Sequence, residues 1–386
     1  METLKILLTG DLMPGGEFDT LAAGGITSIN WPFEDIEHFF IDSDLVLSNF
    51  ECPIREGNDL RKDKSSILGC SNFILPYLKK WKFHVLNLAN NHIHDYGLQG
   101  ITSTLTNLEQ NGLIPLGIVS NERNLNNCVR KKIKNITIGF AAFTSDEPWV
   151  KSRLYDGTFN LVFYSRTNVS DAIDSLRKEC DFVIVVMHWG FENHEYPSPQ
   201  QLDLARFCID EGADVVVGHH AHVIQGYHIY KNKPIFFSLG HLFFSNFYYK
   251  SSDLSNWQEK NRLGLMVQLE LKKNGEIDFK PVPIFQNNNY KIQLIKNHEE
   301  EKLLEKIESL SKKMEMPEKE YRQFWKRYHY NLIKNKLIRK IRKVFHDSNL
   351  SGKRKVFKMV KLSLLLVIEV CKRAISTRPE KVKHYE

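Results

Sequence analysis

Apolar and polar positions come in blocks through the first 290 residues. Short runs rich in Val, Ile, Leu and Phe recur at 5–9, 45–48, 84–88, 136–142, 182–187, 213–217 and 235–239. They do not alternate strictly, as expected of strands covered on both faces. Between them, residues 71–81, 97–111, 170–178 and 198–211 place apolar side chains three and four apart. That is the spacing of helices burying one stripe, and several open on a serine suited to capping. Strand alternating with helix predicts an α/β architecture. Two further runs, 263–271 and 277–284, flank Lys273-Asn274-Gly275, which predicts a hairpin. Beyond the Asn287-Asn288-Asn289 cluster, helical spacing dominates and charge density rises. The pattern therefore predicts a domain at 1–290 and a helical extension at 298–386.

Charge separates the same two parts. The 386-residue chain carries a net charge of +7, yet residues 301–386 hold 24 Lys and Arg against 10 Asp and Glu. The first 300 residues are acidic on balance, so the basic character belongs to the extension. Nothing reads as a base-recognition motif, so nucleic acid is not an expected partner. The six cysteines are scattered without a C-x-x-C pair, which suits a reduced interior rather than a disulfide framework. No basic stretch followed by a long apolar run opens the chain, so no signal peptide is read. The uncharged stretch 362–368 is far short of the roughly 20 residues that span a bilayer. The expected location is cytoplasmic, with residues 353–373 reading as a lysine-flanked amphipathic helix. Such a helix suits the inner face of an anionic membrane, or packing on the domain or on a partner subunit.

The candidate chemistry is positional. Polar clusters follow the apolar runs directly. Asp11 follows the first run and Glu51 the second. Asn90-Asn91-His92, with Asp95, follows the third. His188, then Glu192, follow the run at 182–187. His219-His220-Ala221-His222 follows 213–217, and Gly240-His241 follows 235–239. Ligand sites in α/β sheets lie beyond the carboxyl ends of the strands. Any one of these clusters alone fits a helix cap, a turn or a packed histidine. Six in order predict one site. A mixed set of carboxylates, amide and imidazoles suits one or two divalent transition ions (Mn, Fe or Zn). The H-x-H pair at His220 and His222 is expected on an extended segment, with both rings on one side.

These residues resemble the CapA family, named for poly-γ-glutamate capsule biosynthesis. The likeness is carried by Gly10-Asp11, Asn49-Phe50-Glu51-Cys52-Pro53, Leu88-Ala89-Asn90-Asn91-His92-Ile93-His94-Asp95, His188-Trp189-Gly190-Phe191-Glu192, Gly218-His219-His220-Ala221-His222 and Ser238-Leu239-Gly240. The resemblance implies a metallophosphatase-like αββα sandwich over the first domain. It implies Asp11, Glu51, Asn91, His188, His220 and His222 as metal ligands. His92 becomes the acid or transition-state stabiliser, oriented by Asp95. Glu192, His219 and His241 become outer residues of the site. The chain departs from the pattern at Met13, where a metal-binding histidine is usual, at His241, where asparagine is usual, and at Ala221. It also shows no N-terminal membrane anchor of the kind usual in the family. The implied activity is hydrolysis or transfer on a polymer, phosphoester or peptide-like substrate, alongside other capsule-synthesis proteins. The alternative is a non-catalytic assembly protein that keeps the metal site.

Overall fold

The computed structural model describes residues 2–28, 31–57, 60, 64–146, 158–251, 253–255 and 257–346. Sixteen strands are present among them: β1 (Thr3–Met13), β2 (Leu45–Phe50), β3 (Phe83–Asn87), β4 (Ile114–Leu116), β5 (Ile118–Val119), β6 (Cys128–Ile133), β7 (Ile136–Thr144), β8 (Asn160–Leu161), β9 (Phe182–His188), β10 (Val215–His219), β11 (Tyr227–Tyr230), β12 (Lys233–Phe236), β13 (His241–Phe244), β14 (Leu263–Lys272), β15 (Ile277–Gln286) and β16 (Ile292–Leu294). One sheet runs β16-β15-β14-β1-β2-β3-β4, with β13 also paired to β1. The second runs β11-β12-β10-β9-β7-β6, and β5 and β8 form a small ribbon.

The second sheet has a parallel centre and antiparallel edges, and the first is parallel from β1 to its β4 edge and antiparallel on the β14–β16 side. β1 to β4 run parallel in the first, and β7, β9, β10 and β12 in the second. β2, β9 and β10 are buried along their whole length, which explains apolar runs without alternation. Each fully buried Val, Ile or Leu there contributes about 1.5–3 kcal/mol relative to exposure. Side chains of both sheets join one core, from Leu8 and Val46 to Ile184 and Val217. The helices Leu75–Lys80 and Gly97–Gln110 lie on the first sheet, and Arg166–Arg177 and Pro199–Asp210 on the second. The result is the expected αββα sandwich.

Several boundaries differ from the sequence pattern for local reasons. The helix at 170–178 starts earlier, at Arg166, because Ser165 caps it by accepting from Asn168 N at 3.0 Å. The stretch 71–81 is a 3-10 turn, Asn72–Ile74, followed by a short helix with Pro76 in its first turn. The Pro199–Asp210 helix opens on a capping box between Ser198 and Gln201. The hairpin of β14 and β15 forms as predicted.

The first compact unit reaches Glu315, beyond the boundary expected at 290–298. The reason is the helix Asn297–Lys313, which buries Ile307 and Leu310. Its Ser311 hydroxyl also accepts from Tyr227 N at 3.0 Å. The second unit begins at Met316. Its described part is the helix Glu318–His346, in which Arg322 pairs with Glu318 one turn away at 2.7 Å. The expected interfacial helix at 353–373 lies outside the described residues. Among the described residues, no helix is long and apolar enough to cross a membrane. Cys52, Cys70, Cys128, Cys180 and Cys208 are free thiols.

Candidate metal centre

The carboxyl ends of the parallel strands of both sheets meet in one buried place. Asp11 lies inside β1 rather than after it, at a register irregularity with Leu12. An irregularity of this kind turns a side chain out of the regular pleat. Glu51 follows β2, and Asn90, Asn91 and His92 follow β3. His188 ends β9 and His219 ends β10, the two paired side by side. His220 and His222 follow β10, and His241 opens β13 directly across from Asp11.

Asn49, a residue given no role by the sequence reading, organises the carboxylates. Its side-chain nitrogen donates to Asp11 Oδ1 at 2.8 Å and to Glu51 Oε2 at 3.2 Å, and lies 3.4 Å from His188 Nδ1. Asn87 fixes it by donating to its carbonyl oxygen at 2.9 Å. Asn91 Oδ1 lies 3.1 Å from His188 Nε2, so these two expected ligands are neighbours. Asn90 supports the turn, donating to Phe50 O at 2.9 Å and accepting from His92 N at 3.1 Å.

The histidines converge on the carboxylates. His219 Nδ1 lies 3.3 Å from Asp11 Oδ1, and His222 Nδ1 lies 3.1 Å from Asp11 Oδ2. His222 Nε2 lies 3.5 Å from Glu51 Oε1, and His188 Nε2 lies 4.0 Å from it. The rings of His188 and His220 are 4.6 Å apart. The H-x-H segment is not extended, contrary to expectation. His220 and His222 both have left-handed backbones, with φ of 88° and 54°. Such a conformation costs a non-glycine residue on the order of 1–3 kcal/mol and clusters at functional sites. The bend still brings the two rings within 5.9 Å.

His92 and Asp95 form a separate dyad beside this cluster, with His92 Nδ1 2.6 Å from Asp95 Oδ2. Lys64 was also given no role by the sequence. Its ammonium lies 2.9 Å from each of Asn91 O, His92 Nδ1 and Asp95 Oδ1. Leu68 N donates to Asp95 Oδ2 at 2.8 Å. Glu192 is exposed beyond β9, where its backbone carbonyl lies 3.0 Å from His194 Nδ1. It belongs to neither cluster of converging ligand atoms.

The electrostatics follow from burial and pairing. Burial pushes the Asp11 carboxyl up, but hydrogen bonds from His219 and His222 outweigh it and hold the group well below the usual range. Burial raises Glu51 well above its usual value. Burial, with the Lys64 charge second, lowers His92 to about 4, so this ring is neutral near pH 7. Burial opposes protonation of His222, but Glu51 and Asp11 overcome it and raise the ring to about 10. Two carboxylates of unlike behaviour thus sit in a buried site where the His222 ring is pushed toward its charged form and the His92, His188 and His241 rings toward the neutral one.

The donor set fits a divalent transition ion. Two groups of ligand atoms lie within 4.8 Å of one another: Asp11, His222 and His241, and Glu51, His220 and His222. All are buried, and Glu51 Oε1 has no hydrogen-bond partner among the described residues. Mixed imidazole and carboxylate donors suit Mn, Fe or Zn better than an all-oxygen ion such as Ca. Asp11, Glu51, His220 and His222 lie together, with Asn91 and His188 beside them. His241, expected to be an outer residue, stands among the ligand atoms.

Comparison with known proteins adds four findings. The family model described as bacterial capsule synthesis protein PGA_cap matches residues 5–246. The chain is similar to the capsule biosynthesis protein CapA of Bacillus anthracis, with 31% identity over 73% of this chain and 67% of that one. It is similar to the PGA biosynthesis protein CapA of Bacillus subtilis (strain 168), with 32% identity over 73% of this chain and 72% of that one. Among solved structures it is similar to the calcineurin-like phosphoesterase YfkN of Bacillus subtilis, with a TM-score of 0.46 and 15% identity over 80% of this chain and 98% of that one.

Proposed function

The chain belongs to the bacterial capsule synthesis family PGA_cap, and we propose that it is a metal-dependent hydrolase or transferase in the synthesis of a capsule or poly-γ-glutamate polymer. One observation carries the reading. Side chains from both sheets, far apart in sequence, converge on a buried site that leaves a carboxylate oxygen, Glu51 Oε1, without a hydrogen bond among the described residues. A purely structural cluster of this size would be expected to satisfy its polar atoms.

Asp11, Glu51, Asn91, His188, His220 and His222 would hold one or two ions. A bound ion would supply Lewis acidity toward a phosphoryl or carbonyl oxygen of the substrate. The remaining steps belong to the chain's own residues. With Lys64 donating to Asn91 O and Asp95 Oδ1, the His92 tautomer protonated at Nδ1 donates to Asp95 Oδ2 at 2.6 Å and leaves Nε2 to exchange a proton with the substrate. Since the ring is neutral at rest, its Nε2 takes the proton released by the attacking nucleophile and then delivers it to the leaving group. Lys64 neutralises Asp95 and fixes the loop carrying Asn91. The substrate class is a phosphoester or a γ-glutamyl amide.

The test combines metal content with turnover. Wild type purified without chelators is expected to hold one or two transition ions per chain, and Asp11→Asn with His220→Ala to lose them. Wild type should turn over members of a phosphoester and γ-glutamyl peptide panel, and His92→Ala should not. Metal binding without turnover on any member would instead favour the assembly-protein reading.

A further inference from the structure

Three buried ligand atoms face one another at the start of β13. His222 Nδ1 lies 3.1 Å from Asp11 Oδ2 and 3.1 Å from His241 Nε2. The three residues are at most 5% exposed. An imidazole nitrogen carries one proton and so serves one acceptor well. If His222 Nδ1 donates to Asp11, the lone pair of His241 Nε2 faces a donor already committed. If it donates to His241, the Asp11 oxygen loses its donor. A single divalent cation accepts all three lone pairs at once.

We propose that His241 is a metal ligand, completing a site of two imidazoles and one carboxylate with Asp11 and His222. The inference rests on the reading that the centre binds metal, and it moves His241 from the surroundings of the site into it. The backbone supports the placement. β1 and β13 pair in parallel with Asp11 opposite His241, and Asp11 N donates to Gly240 O at 2.9 Å. The two ligands are therefore set side by side by strand pairing rather than by loops.

The surroundings are those of a held ligand. The Asn261 side chain donates to His222 O at 2.9 Å and Asn193 Oδ1 at 2.8 Å. One buried asparagine thus secures the backbone that carries His222, the kind of outer support found around metal sites. Phe244 stacks on the His241 ring at 4.5 Å, and Trp257 meets it edge-on at 4.9 Å. The same two side chains pack against His222 at 5.1 and 5.8 Å. This apolar wall keeps water from satisfying the lone pairs. A histidine pair packed for stability alone would have no use for the third atom, Asp11 Oδ2.

The shared ligand also has a consequence. His222 faces Asp11 and His241 through Nδ1 and Glu51 through Nε2. A neutral imidazole offers one lone pair, so His222 completes one triad at a time. Coordination through Nδ1 leaves Nε2–H directed at Glu51 Oε1.

The test uses the full chain stripped of metal and titrated with Co²⁺, followed by visible absorption and calorimetry. His241→Asn is expected to weaken Co²⁺ binding by about tenfold or more, the scale on which ligand support acts in such sites. His241→Cys is expected to retain binding and add a thiolate-to-Co²⁺ charge-transfer band, which reports direct coordination even if His241→Asn folds poorly. Unchanged affinity in His241→Asn, or a folded His241→Cys that binds Co²⁺ without that band, overturns the assignment while the metal reading stands. A wild type that takes up no Co²⁺ overturns both.

Discussion

The side-chain amide of Asn49 donates to Oδ1 of Asp11 over 2.8 Å. The same nitrogen reaches Glu51 Oε2 at 3.2 Å, so one neutral group spaces two buried carboxylates that would otherwise repel. Asn49→Ala removes this donor and also the acceptor of Asn87. Three buried groups, Asp11 Oδ1, Glu51 Oε2 and the Asn87 amide, lose a partner, at about 1–3 kcal/mol each where no neighbour such as His219 beside Asp11 remains. The metal-free protein is expected to lose about 2–4 kcal/mol, read from urea unfolding followed by circular dichroism. A loss below about 1 kcal/mol would mean that water or local relaxation replaces the amide.

Asp95 acts on the reaction through His92. Its Oδ2 lies 2.6 Å from His92 Nδ1 and also accepts from Leu68 N. Asp95→Asn preserves the shape and an acceptor oxygen but removes the charge that holds the Nδ1 proton. Turnover is expected to fall by on the order of 10²-fold or more, with KM nearly unchanged. Equal losses in Asp95→Asn and in an Asp95→Asn, His92→Ala double variant would show that both residues act as one unit. Independent, multiplying losses would assign Asp95 to support of the Leu68 loop alone.

How much was legible beforehand depends on where each residue sits. The run at 182–187 announced β9 because both faces of that strand are covered. β6, Cys128–Ile133, was not announced, because its Arg130 and Lys132 project to solvent from a half-buried edge. β11 and β12 turn on Lys231 and Asn232, both with positive φ, a hairpin turn hidden by the absence of glycine. The strand-end ligands were visible as polar residues following apolar runs. Asn49 was not, because it lies within β2 and looks like any residue of the strand. Lys64 was not, because its place beside His92 depends on how two distant loops meet. The left-handed backbone at His220 and His222 has no sequence signal either, since histidine rarely signals such a bend.

Gly10 tests whether strand pairing positions the centre. A Cβ added there would lie 2.2 Å from Gly240 O and 3.1 Å from His241 C, both backbone atoms that cannot swing aside. Gly10→Ala is expected to cost about 3 kcal/mol or more, by forcing β1 away from β13. Metal affinity should fall with it, as Asp11 and His241 separate. Gly275 provides the contrast, since a Cβ there meets nothing within 4 Å and only its φ of 91° resists substitution. Gly275→Ala should cost about 1–2 kcal/mol and leave metal binding intact. Thermal melts of both variants, each with and without Co²⁺, separate the two effects. Equal metal affinity in both would show that the pairing of β1 with β13 does not set the ligands.

Away from the centre, His228 gives the fold a measurable dependence on pH. It sits on β11, half-buried, with Arg206 Nη2 3.3 Å from its Nε2 and the Tyr230 ring stacked at 6.3 Å. Burial, and then the Arg206 charge, lower its pKa to about 4. The unfolded chain titrates near 6.5. Above about pH 6.5 the ring is neutral in both states and contributes nothing to the dependence. As pH falls from 6.5 toward 4, the unfolded chain binds the proton first and folding loses stability. Below about 4 both states are protonated and the loss stops growing. His228→Gln keeps an acceptor for Arg206 and removes the titration. Its stability relative to wild type should rise between pH 7.5 and pH 5 by on the order of 1 kcal/mol, the partly exposed ring being screened by solvent. Urea midpoints of the two proteins at both pH values supply the difference, in which the other histidines cancel. Parallel curves for wild type and variant would show that the folded ring protonates as readily as the unfolded one, with Arg206 swinging out to solvent to allow it.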